Sequence, residues 1–164
     1  MSAKISYPYI PDGKVIFYVS AANPYMRLAK EFARRHSLDS AMPGAAVVVK
    51  DGVVLGIGAN GSDYHKKHAC QRVALGCKSG EGYELCEGCH PKNHSETSAI
   101  RDASARGSDT NGADLYLWGH WWCCRPCWDS MTQAEIGRVF LLENSEILFN
   151  KEHPDNIVGR QLDS

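Results

Sequence analysis

The sequence shows no excess of charge of either sign: 18 Lys and Arg stand against 19 Asp and Glu, a formal net charge of -1 with a pI near 6.6. A broad basic face that grips long nucleic acid needs more positive charge than this, so a polynucleotide partner is disfavoured. A small phosphorylated ligand, which needs only a few donors, is not excluded. No apolar run approaches the length of a membrane span, and the opening stretch MSAKISYPYIPDGK carries no signal-peptide core. The expectation is a cytoplasmic protein with no membrane partner. Internal repeats and low-complexity tracts are also missing.

What is present fits an ordinary globular chain. Its 164 residues suit one domain, and 43% are apolar against 23% charged. At this size about 70% of the unfolded surface is buried on folding. Seven cysteines are present. In a reducing compartment clustered cysteines point to metal rather than to disulfides.

Three parts are expected within the single domain 1–164: an N-terminal arm at 1–22, a Cys-rich insert at 58–93 and a peripheral tail at 143–164. The arm holds one short apolar run, VIFYV. A helix follows, with Asn23 as its cap, Pro24 at its first position, and Tyr25, Leu28, Ala29, Phe32 and Ala33 on one face. Two β-branched runs, 45–49 and 53–57, flank Lys50-Asp51-Gly52, and Asp-Gly is a strong hairpin signal. The insert has no convincing periodicity, and so long an irregular stretch needs a stabiliser or has a function. Helix is expected over 95–106, strand over 114–118, helix over 125–135 and strand over 138–142. Strand, helix, strand, helix, strand is an α/β pattern.

Two constellations carry chemistry. The first is His94, Glu96, Cys124 and Cys127. A Cys-x-x-Cys pair at a helix start puts both sulfurs on one side of one turn, and the helix N-terminus favours the thiolate that binds zinc. His94 opens the other helix. Three protein ligands leave a fourth position on zinc for water, whose pKa zinc lowers from 15.7 to about 7. Glu96 then stands beside that position without binding metal, placed to carry protons. A His-x-Glu alone is more often surface, and a Cys-x-x-Cys alone is ambiguous between redox, structural zinc and accident. The conjunction, with a strand between, is far more specific.

These residues resemble the signature of the zinc-dependent cytidine/deoxycytidylate deaminase superfamily, H-x-E followed by P-C-x-x-C. GANGSDYH at 58–65, the Cys-containing insert and HSETSAI at 94–100 are most like the deoxycytidylate branch, and the resemblance covers about residues 24–143. It implies a three-layer α/β/α sandwich with a mixed central sheet, catalytic zinc on His94, Cys124 and Cys127, and Glu96 as proton shuttle. The implied reaction is hydrolytic deamination at C4 of a free cytosine nucleotide, dCMP to dUMP plus ammonia; deamination of another substrate (cytidine, guanine or tRNA adenosine) and a non-catalytic zinc-binding module are the alternatives. Substrate contacts are implied at Asn60, holding the sugar, and at Ser95, which in the family works through its backbone. A small-molecule nucleotide and further copies of the chain, as a homo-oligomer, are the expected partners.

The chain departs from the pattern at several places. Cys123 stands where the family has proline, so it competes as a ligand; the two-residue spacing selects Cys124. Trp118, Gly119, His120, Trp121 and Trp122 replace a shorter, less aromatic loop. Trp118, Trp121, Trp122 and Tyr116 are candidates for stacking on the base, with core packing the competing role for Tyr116 and Trp118. Lys66, Lys67 and Arg72 are phosphate candidates by position, with solvation as the competing role.

The second constellation is Cys70, Cys77, Cys86 and Cys89, spaced C-x6-C-x8-C-x2-C, with His65, His68 and His90 beside them. A four-cysteine structural zinc would close the insert and contribute to folding, with a histidine in place of one cysteine as a variant. Some relatives carry a second zinc here. Two zinc ions, one catalytic and one structural, are therefore expected.

Overall fold

A computed structural model describes residues 9–78 and 81–163; the first part of the expected arm, 1–8, lies outside them. Five strands form one mixed sheet in the order β1-β5-β4-β2-β3. They are β1 (Ile16–Val19), β2 (Ala45–Lys50), β3 (Val53–Ala59), β4 (Asp114–Trp118) and β5 (Arg138–Leu142). β1 and β4 both run parallel to β5, whereas β2 is antiparallel to β3 and β4.

The alternation of side chains along the central strands builds two cores. Ala46 and Val48, Leu115 and Leu117, Val139 and Leu141 point to one face. Val47 and Val49, Tyr116 and Trp118, Phe140 and Leu142 point to the other. Helices α4 (Ser95–Ala105) and α5 (Arg125–Gln133) cover the first face, and α1 (Pro24–His36) and α6 (Ser145–Phe149) the second. The result is the expected three-layer sandwich. Strands buried on both faces read as unbroken apolar runs, which is why β4 and β5 fall where the sequence puts them.

Local chemistry sets the boundaries. Asn23 Oδ1 accepts from the backbone N–H of Tyr25 and Met26 at 3.0 and 3.1 Å; such a cap stabilises a helix by about 1 kcal/mol. Met26, Ala29 and Ala33 are the buried positions of α1, while Leu28 points outward. Asp51 and Gly52 both have positive φ, 51° and 77°, as a two-residue hairpin turn requires. Helix α5 stops at Gln133, and Glu135 then turns the chain at φ 60°.

The tail was expected to be peripheral, but it is partly internal. Phe149 is 1% exposed and meets Trp118 edge-on at 5.4 Å. This contact anchors α6 and the turn after it against the sheet.

Helix α4 lies unusually close to β3. A Cβ on Gly58 would fall 2.4 Å from the Ala99 backbone nitrogen, and one on Gly56 2.5 Å from the Ala99 carbonyl oxygen. The two glycines make a notch that seats the helix bearing Glu96.

Candidate metal centre and active site

His94 and Cys124 are the residues that immediately precede α4 and α5, and Cys127 lies in the first turn of α5. The two helices are neighbours on one face of the sheet, so their N-termini bring the three side chains together. Cys124 Sγ lies 3.1 Å from Cys127 Sγ, and each sulfur lies 3.4 Å from His94 Nδ1. Zinc–sulfur and zinc–nitrogen bond lengths imply tetrahedral edges of about 3.6–3.8 Å. The two sulfur–nitrogen separations are about 0.2 Å below that and the sulfur–sulfur separation roughly 0.7 Å below, and the donor set fits zinc.

The ring of His94 is oriented from behind. Its Nε2 lies 3.2 Å from the carbonyl oxygen of Cys89. A carbonyl can only accept, so Nε2 carries a proton, and Nδ1 is the ring nitrogen turned toward the two sulfurs. Tyr83 packs edge-on against the same ring at 4.8 Å.

The electrostatics distinguish the adjacent cysteines. The hydrogen bond between Cys124 and Cys127, helped by the His94 ring and working against burial, holds Cys124 down to about 5. Burial pushes the Cys123 thiol well up, and it lies outside the trio. Glu96, 5% exposed, is raised by burial and further by the Cys124 charge.

A cavity of about 320 Å³ opens over the trio, lined among others by Asn60, Ser95, Glu96, Trp118, His120 and Trp122. This is the size of a small-ligand site. A larger hollow of about 790 Å³ lies over α1, with Trp118 as a shared wall. It holds neither His/Cys cluster, so its size does not make it the chemical centre.

Several expected contacts are rearranged. Trp121 does not line the cavity; Trp122 does, and Trp121 packs edge-on against it at 6.2 Å. Tyr116 is core: it stacks on Phe140 at 4.6 Å on the opposite face of the sheet. Lys66 and Lys67 lie off the cavity, and Lys66 pairs with Asp63 at 2.9 Å. Arg72 lines it, but its guanidinium donates to the carbonyls of Glu81 and Lys78 and lies over the Tyr83 ring. Asn60 Oδ1 accepts from Ser37 Oγ at 2.5 Å and Gly44 N at 2.9 Å, while Nδ2 donates to the Met42 carbonyl. Among the cavity residues that the sequence did not single out as substrate contacts are His120 and Lys151.

The insert holds a second cluster, and it is not the expected set of four cysteines. His65, Cys70, Cys86 and Cys89 converge, and Cys77 does not. His65 Nε2 lies 3.2 Å from Cys86 Sγ, and Cys70 Sγ lies 3.6 Å from Cys89 Sγ. Gly88, between Cys86 and Cys89, makes room for the imidazole: a Cβ there would sit 2.6 Å from His65 Nε2. Burial raises the Cys86 thiol, but His65 and nearby backbone amides outweigh it and bring it down to about 6. Three cysteines and a histidine also fit zinc. The reason for the exchange is local: helix α2 (Tyr64–Lys67) turns His65 toward the Cys86–Cys89 turn, whereas Cys77 follows α3 (Gln71–Ala74) with its amide tied to Arg72.

Among the described residues no helix is long and apolar enough to cross a membrane. The family model for the cytidine and deoxycytidylate deaminase zinc-binding region matches residues 19–143. No curated protein matches the chain. Among solved structures, dCMP deaminase from cyanophage S-TIM5, in complex with dCMP and dUMP, is 21% identical over 74% of this chain and 82% of its own, with a TM-score of 0.50. Guanine deaminase from Bacillus subtilis is 20% identical over 71% of this chain and 60% of its own, with a TM-score of 0.43. A bifunctional diaminohydroxyphosphoribosylaminopyrimidine deaminase and reductase from Thermotoga maritima is 24% identical over 71% of this chain, with a TM-score of 0.44. This chain spans only 28% of that protein's length. At these identities the likeness is one of fold.

Proposed function

The chain belongs to the cytidine and deoxycytidylate deaminase family, and from that premise we propose that it deaminates a free cytosine nucleotide, dCMP to dUMP, by hydrolysis. The observation that carries the reading is a buried carboxyl, Glu96, lining the same cavity as His94 and Cys124. A purely structural metal site has no use for such a group.

In this reading His94, Cys124 and Cys127 hold the catalytic zinc. Zinc, when bound, makes water acidic enough to act as a nucleophile near neutral pH. Glu96 does the proton work. It takes a proton as water adds to C4 and places it on N3; it then takes the proton of the new C4 hydroxyl and delivers it to the amine, so that the C4–N bond breaks, ammonia leaves and C4 becomes a carbonyl. Asn60 is already bonded on Oδ1 and through Nδ2, so its remaining amide proton is what it offers a sugar oxygen. Ser95, the first residue of α4, lines the cavity floor beside Gly44. The near-neutral net charge of -1 and a cavity of about 320 Å³ favour a single nucleotide over a polynucleotide.

Ammonia release tests this directly, over cytidine, deoxycytidine, CMP, dCMP, guanine and adenosine. The expected result is highest kcat/KM on dCMP. Turnover of guanine or adenosine with none on cytosine substrates would overturn the substrate reading and leave the zinc chemistry in place.

The insert is read as a second, structural zinc site on His65, Cys70, Cys86 and Cys89. Zinc-replete protein is expected to contain two zinc ions per chain and to react with an alkylating reagent at Cys77, while Cys70, Cys86 and Cys89 are protected. His65→Ala should lower the content toward one. If that variant kept both ions and Cys77 were protected, the four-cysteine set would be the right one.

A further inference from the structure

The loop between β4 and α5 contains a histidine held in one tautomer by its own backbone. His120 Nδ1 accepts from the N–H groups of Trp121 at 2.9 Å and Trp122 at 3.3 Å. An acceptor nitrogen carries no proton, so the proton of the neutral ring sits on Nε2. The face-to-edge contact with Trp122, centroids 4.6 Å apart at 75°, fixes the plane. Burial, with the His94 ring and the Lys151 ammonium nearby, holds the ring's pKa down to about 3, so it stays neutral.

Nε2 has no hydrogen-bond partner among the described residues. Nor is it sealed in the interior, because no buried side-chain nitrogen or oxygen among them lacks a partner. Since the ring lines the cavity, its free N–H opens onto that space. Lys151, in the turn after α6, lines the same cavity and has no ion-pair partner among the described residues. Arg72, by contrast, has its guanidinium committed to two carbonyls. A neutral N–H donor and an ammonium with no acceptor assigned to either form a wall suited to an anion.

We infer that His120 Nε2–H and the Lys151 ammonium together bind the phosphate of the substrate and set the preference for a nucleotide over its nucleoside. The inference rests on the nucleotide reading of the site. Neither residue belongs to the metal-binding or proton-carrying set; both act on specificity.

The test uses the zinc-loaded full chain and reads the ratio of kcat/KM on dCMP to that on deoxycytidine. His120→Asn keeps an oxygen to accept the two backbone N–H groups and removes the Nε2 donor. Lys151→Met keeps the length of the side chain and removes its charge; Lys151→Arg restores the charge. The first two variants should each lower the ratio tenfold or more, chiefly through KM for dCMP, and Lys151→Arg should recover most of it. Lys151 sits in an exposed turn, so its variants decide the matter if His120→Asn does not fold. A wild-type preference for dCMP that survives both substitutions overturns the inference and leaves the nucleotide reading intact. An equal loss on both substrates assigns the residues to structure and also overturns it. A wild type that prefers deoxycytidine overturns the nucleotide reading, and this inference with it.

Discussion

Glu96→Gln is expected to lower turnover by about 10²–10⁴-fold, the range that a positioned proton carrier supplies, while zinc content and fold stay those of the wild type. The substitution removes one ionisable oxygen and leaves the volume of the side chain nearly unchanged. Glu96 is not among the His94–Cys124–Cys127 trio, so the metal should not notice its loss. Burial raises the carboxyl, in the direction a group needs if it is to take and return a proton near neutral pH. Steady-state ammonia release and elemental analysis on the same preparation decide the case. Near-normal turnover, or loss of zinc with the carboxyl, would remove Glu96 from the role of proton carrier.

Gly58→Ala is expected to be the second most damaging single change, although it touches no reacting group. Its new methyl would sit 2.4 Å from the Ala99 nitrogen and 2.5 Å from the Ser98 carbonyl carbon, both backbone atoms of α4. Backbone cannot swing aside as a side-chain tip can, so the helix must shift or the strand must bend. Overpacking of this kind costs about 1–3 kcal/mol. A shift of about 1 Å in a reacting group can cost on the order of 10²-fold in rate, and α4 begins with Ser95 and Glu96. The variant should therefore lose activity out of proportion to its loss of thermal stability. A fully active Gly58→Ala protein would show that α4 has slack the packing does not suggest.

The sequence made much of this arrangement readable, and for identifiable reasons. β4 and β5 are continuous apolar runs buried on both faces, so composition alone marks them. The His94, Glu96, Cys124 and Cys127 set could be read because short-range spacing and helix starts fix where those side chains point. Leu28 and Met26 exchanged places because an apolar stripe on a short helix tolerates a rotation, and only packing against the sheet decides it. His65 displaced Cys77 for a related reason: counting cysteines treats them as equivalent, while a short helix decides which of them faces the knuckle at Cys86–Cys89. Interleaved histidines were the available signal. His120 and Lys151 lie 31 positions apart in sequence. Nothing local predicts that the burial of Phe149 brings the tail back to the β4–α5 loop. Trp121 and Trp122 follow the end of a strand, where the alternation that would tell inside from outside has stopped.

The position of β1 sets how the chain comes together. Ile16 lies opposite Val139, so the first strand pairs with the last. The β2–β3 hairpin closes a two-residue turn, and the His94–Cys124–Cys127 cluster is complete in the chain before β5 begins. Docking β1 closes a loop of about three-quarters of the chain, the most entropically demanding contact in the sheet. During synthesis β1 therefore emerges well before its partner β5 and is stitched in last. Until β5 is available, the apolar residues of β1 have no strand to pair with and are the part of the nascent chain most in need of shelter from other chains.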